Sequence, residues 1–369
     1  MNSIPNSAGF NLTGGKIGVL VLHGFTGSPV SIAPWAKYLN TLGYTVSAPC
    51  LPGHGSSWQQ MNKTTWQDWY KAAEQELLEL QKNCDRVFIA GFSMGGALAL
   101  RLCQIRSSEV EGLLLLNPSI HDRRLFLKLT PLLKYFISSV KKGPTDIAAP
   151  NPIKHAYHRT PLKAFDSLRK LWQIVERDLY LIDLPIMVAY SINDHAVDPE
   201  NSMTVIDNIF SVDIREVIFE NSFHNVALDY DCEQLNTESR LFIQDVLSGE
   251  LKRGGDFNET ELVDAEFDSI VSGLSLDESS PTTYLDELDH VYEAERFIPP
   301  TPNRLTLNTN QRLSLVGLTS SLLYLLAYNF TDFEVLGLWP VVIGVSASVA
   351  NLIWDTARKD DDYEDGASI

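Results

Sequence analysis

Cysteine is scarce in this 369-residue sequence. The four present are Cys50, Cys84, Cys103 and Cys232, no two of them spaced as CxxC, and no histidine stands at metal-ligand spacing from them. That pattern argues against a disulfide framework and a Cys/His zinc site, and for ordinary thiols in a reducing compartment. Positive charge is the second shortage. Lys and Arg number 29 against 47 Asp and Glu, a net charge of −18. Phosphate-backbone binding needs clustered Lys and Arg, so no nucleic-acid partner is expected. The opening run MNSIPNSAGFNLTGGK has neither a basic start nor an apolar core, so no cleaved secretory signal is expected. No internal repeat is visible.

The acidity that is there is unevenly spread. Residues 250–300 contribute −11 and residues 355–369 contribute −4, while residues 1–249 carry only −3. The first two-thirds therefore reads as one near-neutral domain, residues 1–249. Its apolar runs alternate with amphipathic ones, the pattern of a parallel sheet wrapped by helices. Strands are expected at Ile17–Leu22, Tyr44–Ala48, Arg86–Ala90, Gly112–Leu116, Ile186–Tyr190 and Ile214–Phe219. Helices are expected at Ser31–Leu42, Thr65–Lys82, Met94–Arg106 and Glu233–Ser248. Residues 250–311 are acidic, Ser-rich and poor in apolar side chains, a composition that cannot offset its ordering entropy by burial and predicts a disordered linker.

Two apolar stretches follow, Leu313–Tyr328 and Val335–Trp354. The second is about the length that crosses a hydrocarbon core of about 30 Å. Gly344, Ser346, Ala347 and Ser348 would permit close helix packing. A transmembrane helical hairpin is expected over residues 312–354, followed by an acidic tail at 355–369. Arg304, Arg312, Arg358 and Lys359 flank the pair, and the connector Asn329–Glu334 has no base. The positive-inside bias then puts both ends on the cytoplasmic side of the inner membrane, with residues 1–249 there too.

The chemistry concentrates in four short runs. Gly91-Phe92-Ser93-Met94-Gly95 is a G-x-S-x-G between an apolar strand and a helix. That context marks a nucleophile elbow, which exposes a serine hydroxyl on a sharp turn. His23-Gly24-Phe25-Thr26-Gly27 follows the first core strand. It suits an oxyanion loop, with the backbone N–H groups of Phe25 and Met94 as donors. His23 itself reads as a brace for that loop. Asn193-Asp194-His195 follows a later strand. Asp194 is the candidate triad acid. Asp198 is the runner-up, better suited to cap the helix that starts near Pro199. His224, after the last strand, is the candidate base, and the chain order Ser…Asp…His agrees with that role. Asp229 and Asp231 read as solvated or hydrogen-bonding acids. His54, in LPGHG, belongs near the mouth of the site. His155 and His158 lack a third partner at metal-binding spacing, so no metal is expected.

Between Asn117 and Leu184 the core pattern lapses. The runs LFLKLTPLLKYFISSV and AFDSLRKLWQIVERDLYLI predict a helical cap over about 118–184, and Leu125, Phe126, Leu129, Leu133, Phe136 and Ile137 could line an acyl pocket.

HGFTGSP, LPGHG, GFSMGG, the Asp194 loop and SFHNVALDYD together resemble the bacterial carboxylesterases and monoacylglycerol lipases of the α/β-hydrolase superfamily, over about residues 16–247. The resemblance implies that fold, a small cap and a preference for short- to medium-chain esters or monoacylglycerols. It also implies Ser93 as nucleophile, Asp194 as acid, His224 as base, and Phe25 and Met94 as oxyanion donors. No metal or organic cofactor is expected. Residues 292–369 look like small actinobacterial membrane proteins, which the enzyme resemblance does not explain. An acyltransferase or thioesterase with the same triad, and an inactive membrane-anchored scaffold, are the alternatives.

Overall fold

The computed structural model describes residues 7–123, 130–143, 145–150, 156–254, 309–330 and 339–361. The chain divides into two units, Met1–Ser275 and Leu276–Ile369.

The first unit is built in chain order from β1 (Phe10–Leu12), β2 (Ile17–Leu22), α1 (Ala33–Thr41), β3 (Thr45–Ala48), α2 (Trp58–Met61), α3 (Trp66–Asn83), β4 (Arg86–Phe92), α4 (Met94–Arg106), β5 (Gly112–Leu116), α5 (Thr130–Leu133), β6 (Ser139–Lys141), β7 (Arg159–Pro161), α6 (Leu162–Arg177), β8 (Ile186–Ser191), α7 (Glu200–Asn208), β9 (Ile214–Phe219) and α8 (Cys232–Ser248). Seven strands form one sheet in the order β1-β3-β2-β4-β5-β8-β9. Only β1 runs antiparallel to its neighbour.

Successive strand side chains point to opposite faces, so each strand feeds two cores. Leu20 and Leu22 of β2 pack with Trp69 and Leu77 of α3 and with the α4 and α6 residues. Val19 and Val21 pack on the other side with Trp35 and Leu39 of α1 and with Phe242 and Ile243 of α8. This two-faced burial explains why the strands read as unbroken apolar runs. The helix α3 starts where the Asp68 carboxylate accepts the Thr65 N–H at 2.8 Å, a cap worth about 1 kcal/mol.

All six expected strands are present within two residues of their expected ends. The cap departs from an all-helical one. LFLKLTPLLKYFISSV yields a single helical turn, α5, and residues 124–129 lie outside the described residues. Ser139–Lys141 instead pairs antiparallel with Arg159–Pro161. Pro131, lacking an N–H, and the β-branched Val140 among serines favour that outcome over a long helix. The second run forms α6, whose apolar face is buried. Of the expected pocket residues, Leu125, Phe126 and Leu129 lie outside the described residues, and Phe136 and Ile137 are exposed.

Among its described residues the second unit holds two helices, α9 (Thr309–Phe330) and α10 (Trp339–Asp361). Among the described residues no helix is long and apolar enough to cross a membrane, which corrects the expected transmembrane hairpin. The physical reason is length. Over its described span, Trp339–Asp361, α10 is uncharged as far as Trp354, and Asp355 ends that part. At about 1.5 Å per residue, Trp339–Trp354 spans roughly 24 Å, short of a core of about 30 Å. The run Leu313–Tyr328 is equally short. The helix also runs on through Asp361, into what was expected to be the tail. Residues 255–308, most of the expected linker, and 331–338 lie outside the described residues.

The two helices meet along a seam of small residues. Gly317 lies against Ser348, and Gly344 against Ser321. Asn351 donates to Ser314 Oγ at 3.0 Å. Ser346 and Ala347, expected in that seam, are exposed.

Candidate active site

The fold places the ends of β4, β8 and β9 near one another, with only β5 between β4 and β8. Each of the first three carries one of the side chains singled out above. Ser93 sits between β4 and α4 with φ 56° and ψ −120°. Such a conformation is costly for a non-glycine residue and persists only where its surroundings enforce it. Here the Ser93 N–H donates to Leu116 O at 3.0 Å, and its carbonyl accepts from Gly96 and Ser119 at 2.9 and 3.1 Å. The turn is tight enough that a Cβ on Gly91 would sit 2.7 Å from Gly96 N.

Ser93 Oγ lies 3.1 Å from His224 Nε2, and His224 Nδ1 lies 2.6 Å from Asp194 Oδ2. A carboxylate can only accept, so the imidazole Nδ1–H donates to Asp194 and Nε2 is left to accept from the serine hydroxyl. The other Asp194 oxygen accepts the N–H groups of Ala196 and Val197, both at 2.8 Å. Its side chain is 2% exposed, a carboxylate whose lone pairs are taken and whose orientation is fixed. Phe92 covers the imidazole, ring centroids 4.8 Å apart. Asp198 is placed elsewhere. Its Oδ1 accepts the N–H of Glu200, the first residue of α7, at 3.0 Å.

Gly24 brings the loop after β2 against the nucleophile, since a Cβ there would stand 3.1 Å from Ser93 Cβ. Among the described residues, neither the Phe25 nor the Met94 N–H donates to an internal acceptor. The loop is braced by His23, fully buried, with Nδ1 3.0 Å from Gly24 O and Nε2 accepting from Leu51 N–H at 3.2 Å. His54 stacks edge-on at 4.9 Å from His23 and 5.4 Å from Trp69.

Burial pulls the His23 pKa down to about 4 and holds His54 well below 6.5, where the neighbouring His23 adds to the effect. Both histidines fold neutral and must be charged in the unfolded chain below its ordinary pKa of about 6.5. The unfolded state then binds more protons, so stability is full above pH 6.5 and is lost as pH falls toward 4. His23 alone supplies about 3 kcal/mol over that window. The thermal midpoint is expected to fall steadily between these limits, and a flat profile would contradict the neutral, buried assignment.

Several residues of the site carry no motif. Asn117, at the end of β5 with φ 42°, donates to His224 O at 2.5 Å and accepts from Ser191 N–H at 2.8 Å. Asp229 is buried and accepts four backbone N–H groups, from Ala148, Ala149, Phe223 and Tyr230. Asp231 accepts from the Asn221 backbone and amide at 2.9 and 3.0 Å. Lys142 donates to Thr26 Oγ1 at 2.9 Å from the cap. The signals for Asp229 and Asp231 were their closeness to His224 and their place in the SFHNVALDYD run. For Asn117 and Lys142 there was none, because their partners are far away in sequence.

A family model described as serine aminopeptidase, S33 (Hydrolase_4) matches residues 16–231, more than half of the chain. The chain belongs to this family. Among its relatives, a thermostable monoacylglycerol lipase of Bacillus sp. (strain H-257) is 32% identical over 224 residues, 60% of this chain and 88% of the relative. A carboxylesterase of Bacillus subtilis (strain 168) is 25% identical over 239 residues, 64% of this chain and 95% of the relative. A solved structure from work on LipS and LipT, two metagenome-derived lipolytic enzymes, matches with TM-score 0.64 at 30% identity, covering 66% of this chain and 100% of that one. The monoacylglycerol lipase of Paleococcus ferrophilus, at 17% identity and TM-score 0.55, shares the fold over 67% of this chain and 99% of its own. The S33 match stops at residue 231, so the expected likeness of residues 292–369 to small actinobacterial membrane proteins gains no support from it.

Proposed function

We propose that this S33-family chain hydrolyses monoacylglycerols and related short- to medium-chain esters through an acyl-enzyme on Ser93. The chain is a carboxylic-ester hydrolase, and the observation that carries the finer reading is the hydrogen-bonded row from Ser93 through His224 to Asp194, at 3.1 and 2.6 Å. In the proposed cycle Ser93 Oγ attacks the ester carbonyl carbon while its proton passes to His224 Nε2. Asp194 holds the imidazole and offsets its positive charge. The Phe25 and Met94 N–H groups stabilise the oxyanion, each worth about 3 kcal/mol in such sites. The tetrahedral intermediate collapses, the C–O bond to the alcohol breaks, and His224 returns its proton to the leaving oxygen. Water, deprotonated by His224, then attacks the acyl carbon; the bond from that carbon to Ser93 Oγ breaks, His224 returns the proton to Oγ, and the acid is released.

Monoacylglycerols are favoured because the relative at 32% identity is a monoacylglycerol lipase and is matched over most of its length. The four free thiols suit a cytoplasmic site of action. The test is hydrolysis of 1-monoacylglycerols and p-nitrophenyl esters, acetyl to palmitoyl, by the full chain, with products quantified. Equimolar glycerol and free acid, with a rate maximum at intermediate chain length, is the expected result. Acyl transfer to an added alcohol in preference to water would instead make the enzyme a transferase.

A further inference from the structure

The cap approaches the row of site residues from above through one carboxylate. Asp146 Oδ2 accepts the backbone N–H of His195 at 2.9 Å and that of His224 at 3.3 Å. Its Oδ1 lies 2.9 Å from His195 Nδ1, and its carbonyl accepts the Asn225 N–H at 3.3 Å. The His195 N–H belongs to the peptide that joins it to Asp194. One oxygen therefore grips the backbone on both sides of the 2.6 Å hydrogen bond between Asp194 and His224. The His224 peptide is held at both ends, its N–H by Asp146 from the cap and its C=O by Asn117 from the sheet.

This site has two loops to align. Asp194 follows β8 and His224 follows β9. The ladder between β8 and β9 ends at Ser191 and Phe219; beyond it Ser191 Oγ donates to Ser222 O and Asn193 Nδ2 to Glu220 O at 2.8 Å, and Asp146 Oδ2 adds the bridge that touches the backbone of His195 and His224 themselves. The Asp146 side chain is 19% exposed while the His195 side chain is 64% exposed, so the shielded part of the arrangement is the two N–H bonds rather than the contact with His195 Nδ1.

We infer that Asp146 is a positioning residue for the hydrolytic reaction, setting the spacing of the Asp194 and His224 loops from within the cap. The inference rests on the proposed roles of Asp194 and His224. A displacement of about 1 Å in such a constellation lowers turnover by as much as ~100-fold, and it does so in kcat, because the change falls on the alignment of the reacting groups.

Three substitutions in the full chain separate position from charge. Asp146→Ala removes the acceptor and is expected to lower kcat on p-nitrophenyl butyrate by at least about tenfold with KM within about threefold. Asp146→Glu keeps the charge but displaces the carboxylate by one methylene, and a comparable loss is expected. Asp146→Asn keeps a carbonyl oxygen in the same place, able to accept both N–H groups while its amide faces His195 Nδ1. It is expected to recover kcat to within about fivefold of the parent. Circular dichroism confirms that each variant folds, and the Glu and Asn pair decides the matter if the Ala variant does not. Asn as poor as Ala, Glu as active as the parent, or a loss confined to KM would each overturn the inference. Ser93→Ala assayed alongside keeps the two questions apart: if it stays active the underlying reading fails, and if it is dead while Asp146→Ala is fully active, only the positioning role fails.

Discussion

Ser93→Ala is expected to lower kcat on any ester this chain accepts by roughly 10⁴- to 10⁶-fold, with little change in stability. The size follows from what the hydroxyl does in the proposed cycle. Without Oγ no acyl-enzyme forms, and His224 has only bulk water to activate, held in no particular place. What remains is stabilisation of the oxyanion by the Phe25 and Met94 N–H groups, which sustains a small rate above the uncatalysed one. The fold loses little, because the side chain makes one hydrogen bond, to His224, worth about 1 kcal/mol. The elbow itself is held by backbone bonds to Leu116, Gly96 and Ser119, which alanine leaves in place. Initial rates and a thermal melt on the same preparation check both halves. Retention of more than a few per cent of the parent rate would rule out Ser93 as the nucleophile.

Gly95→Ala is expected to cost about 3 kcal/mol or more of stability and to abolish activity with it. A Cβ at this position would overlap the Leu22 carbonyl oxygen and stand 2.9 Å from His23 O. Both are backbone atoms, and Leu22 is locked into the ladder opposite Gly91. Neither can swing aside as a side chain would, so α4 must move off the sheet or β2 must bend. Either shift displaces the oxyanion loop that begins at His23. Gly43 is the informative comparison. It has φ +90° with nothing within 4 Å of a Cβ, so Gly43→Ala incurs only backbone strain, about 1–2 kcal/mol. Urea midpoints of the two variants, in that order of severity, are the measurement. Equal midpoints would mean that close approach at Gly95 is not what the turn requires.

The sheet was legible because parallel strands buried on both faces are continuous apolar runs, and six of them stood out. Phe10–Leu12 did not, since three residues with one antiparallel partner leave no period to read. The β6–β7 pair escaped for a different reason. Its two strands are far apart in the chain, and Ser139–Lys141 read as the end of an amphipathic helix. The second unit shows the limit of counting apolar residues. Val335–Trp354 is long enough on paper, but the described helix, Trp339–Asp361, is uncharged only as far as Trp354. In the site, Ser93, Asp194 and His224 sit in runs whose local context singles them out, and the fold brings the three side chains together. Asn117 and Asp146 act through partners about 50 to 110 residues distant, and a single polar residue in a loop carries no mark of such a partner until the chain is folded.

The strand β9 lies at the margin of the sheet, hydrogen-bonded to β8 alone, and it is the strand that leads to His224. Proteins open locally at such margins at a lower free energy than their centres. The proposed general base is thus mounted at a margin of the sheet, while Ser93 is mounted on β4, with a strand on either side. Partial opening of this margin leaves a molecule that keeps nearly all its helix and its core and has lost its chemistry. In this architecture the geometry of the proposed row depends on the pairing of β8 with β9, a quantity that the melting temperature of the whole domain does not measure.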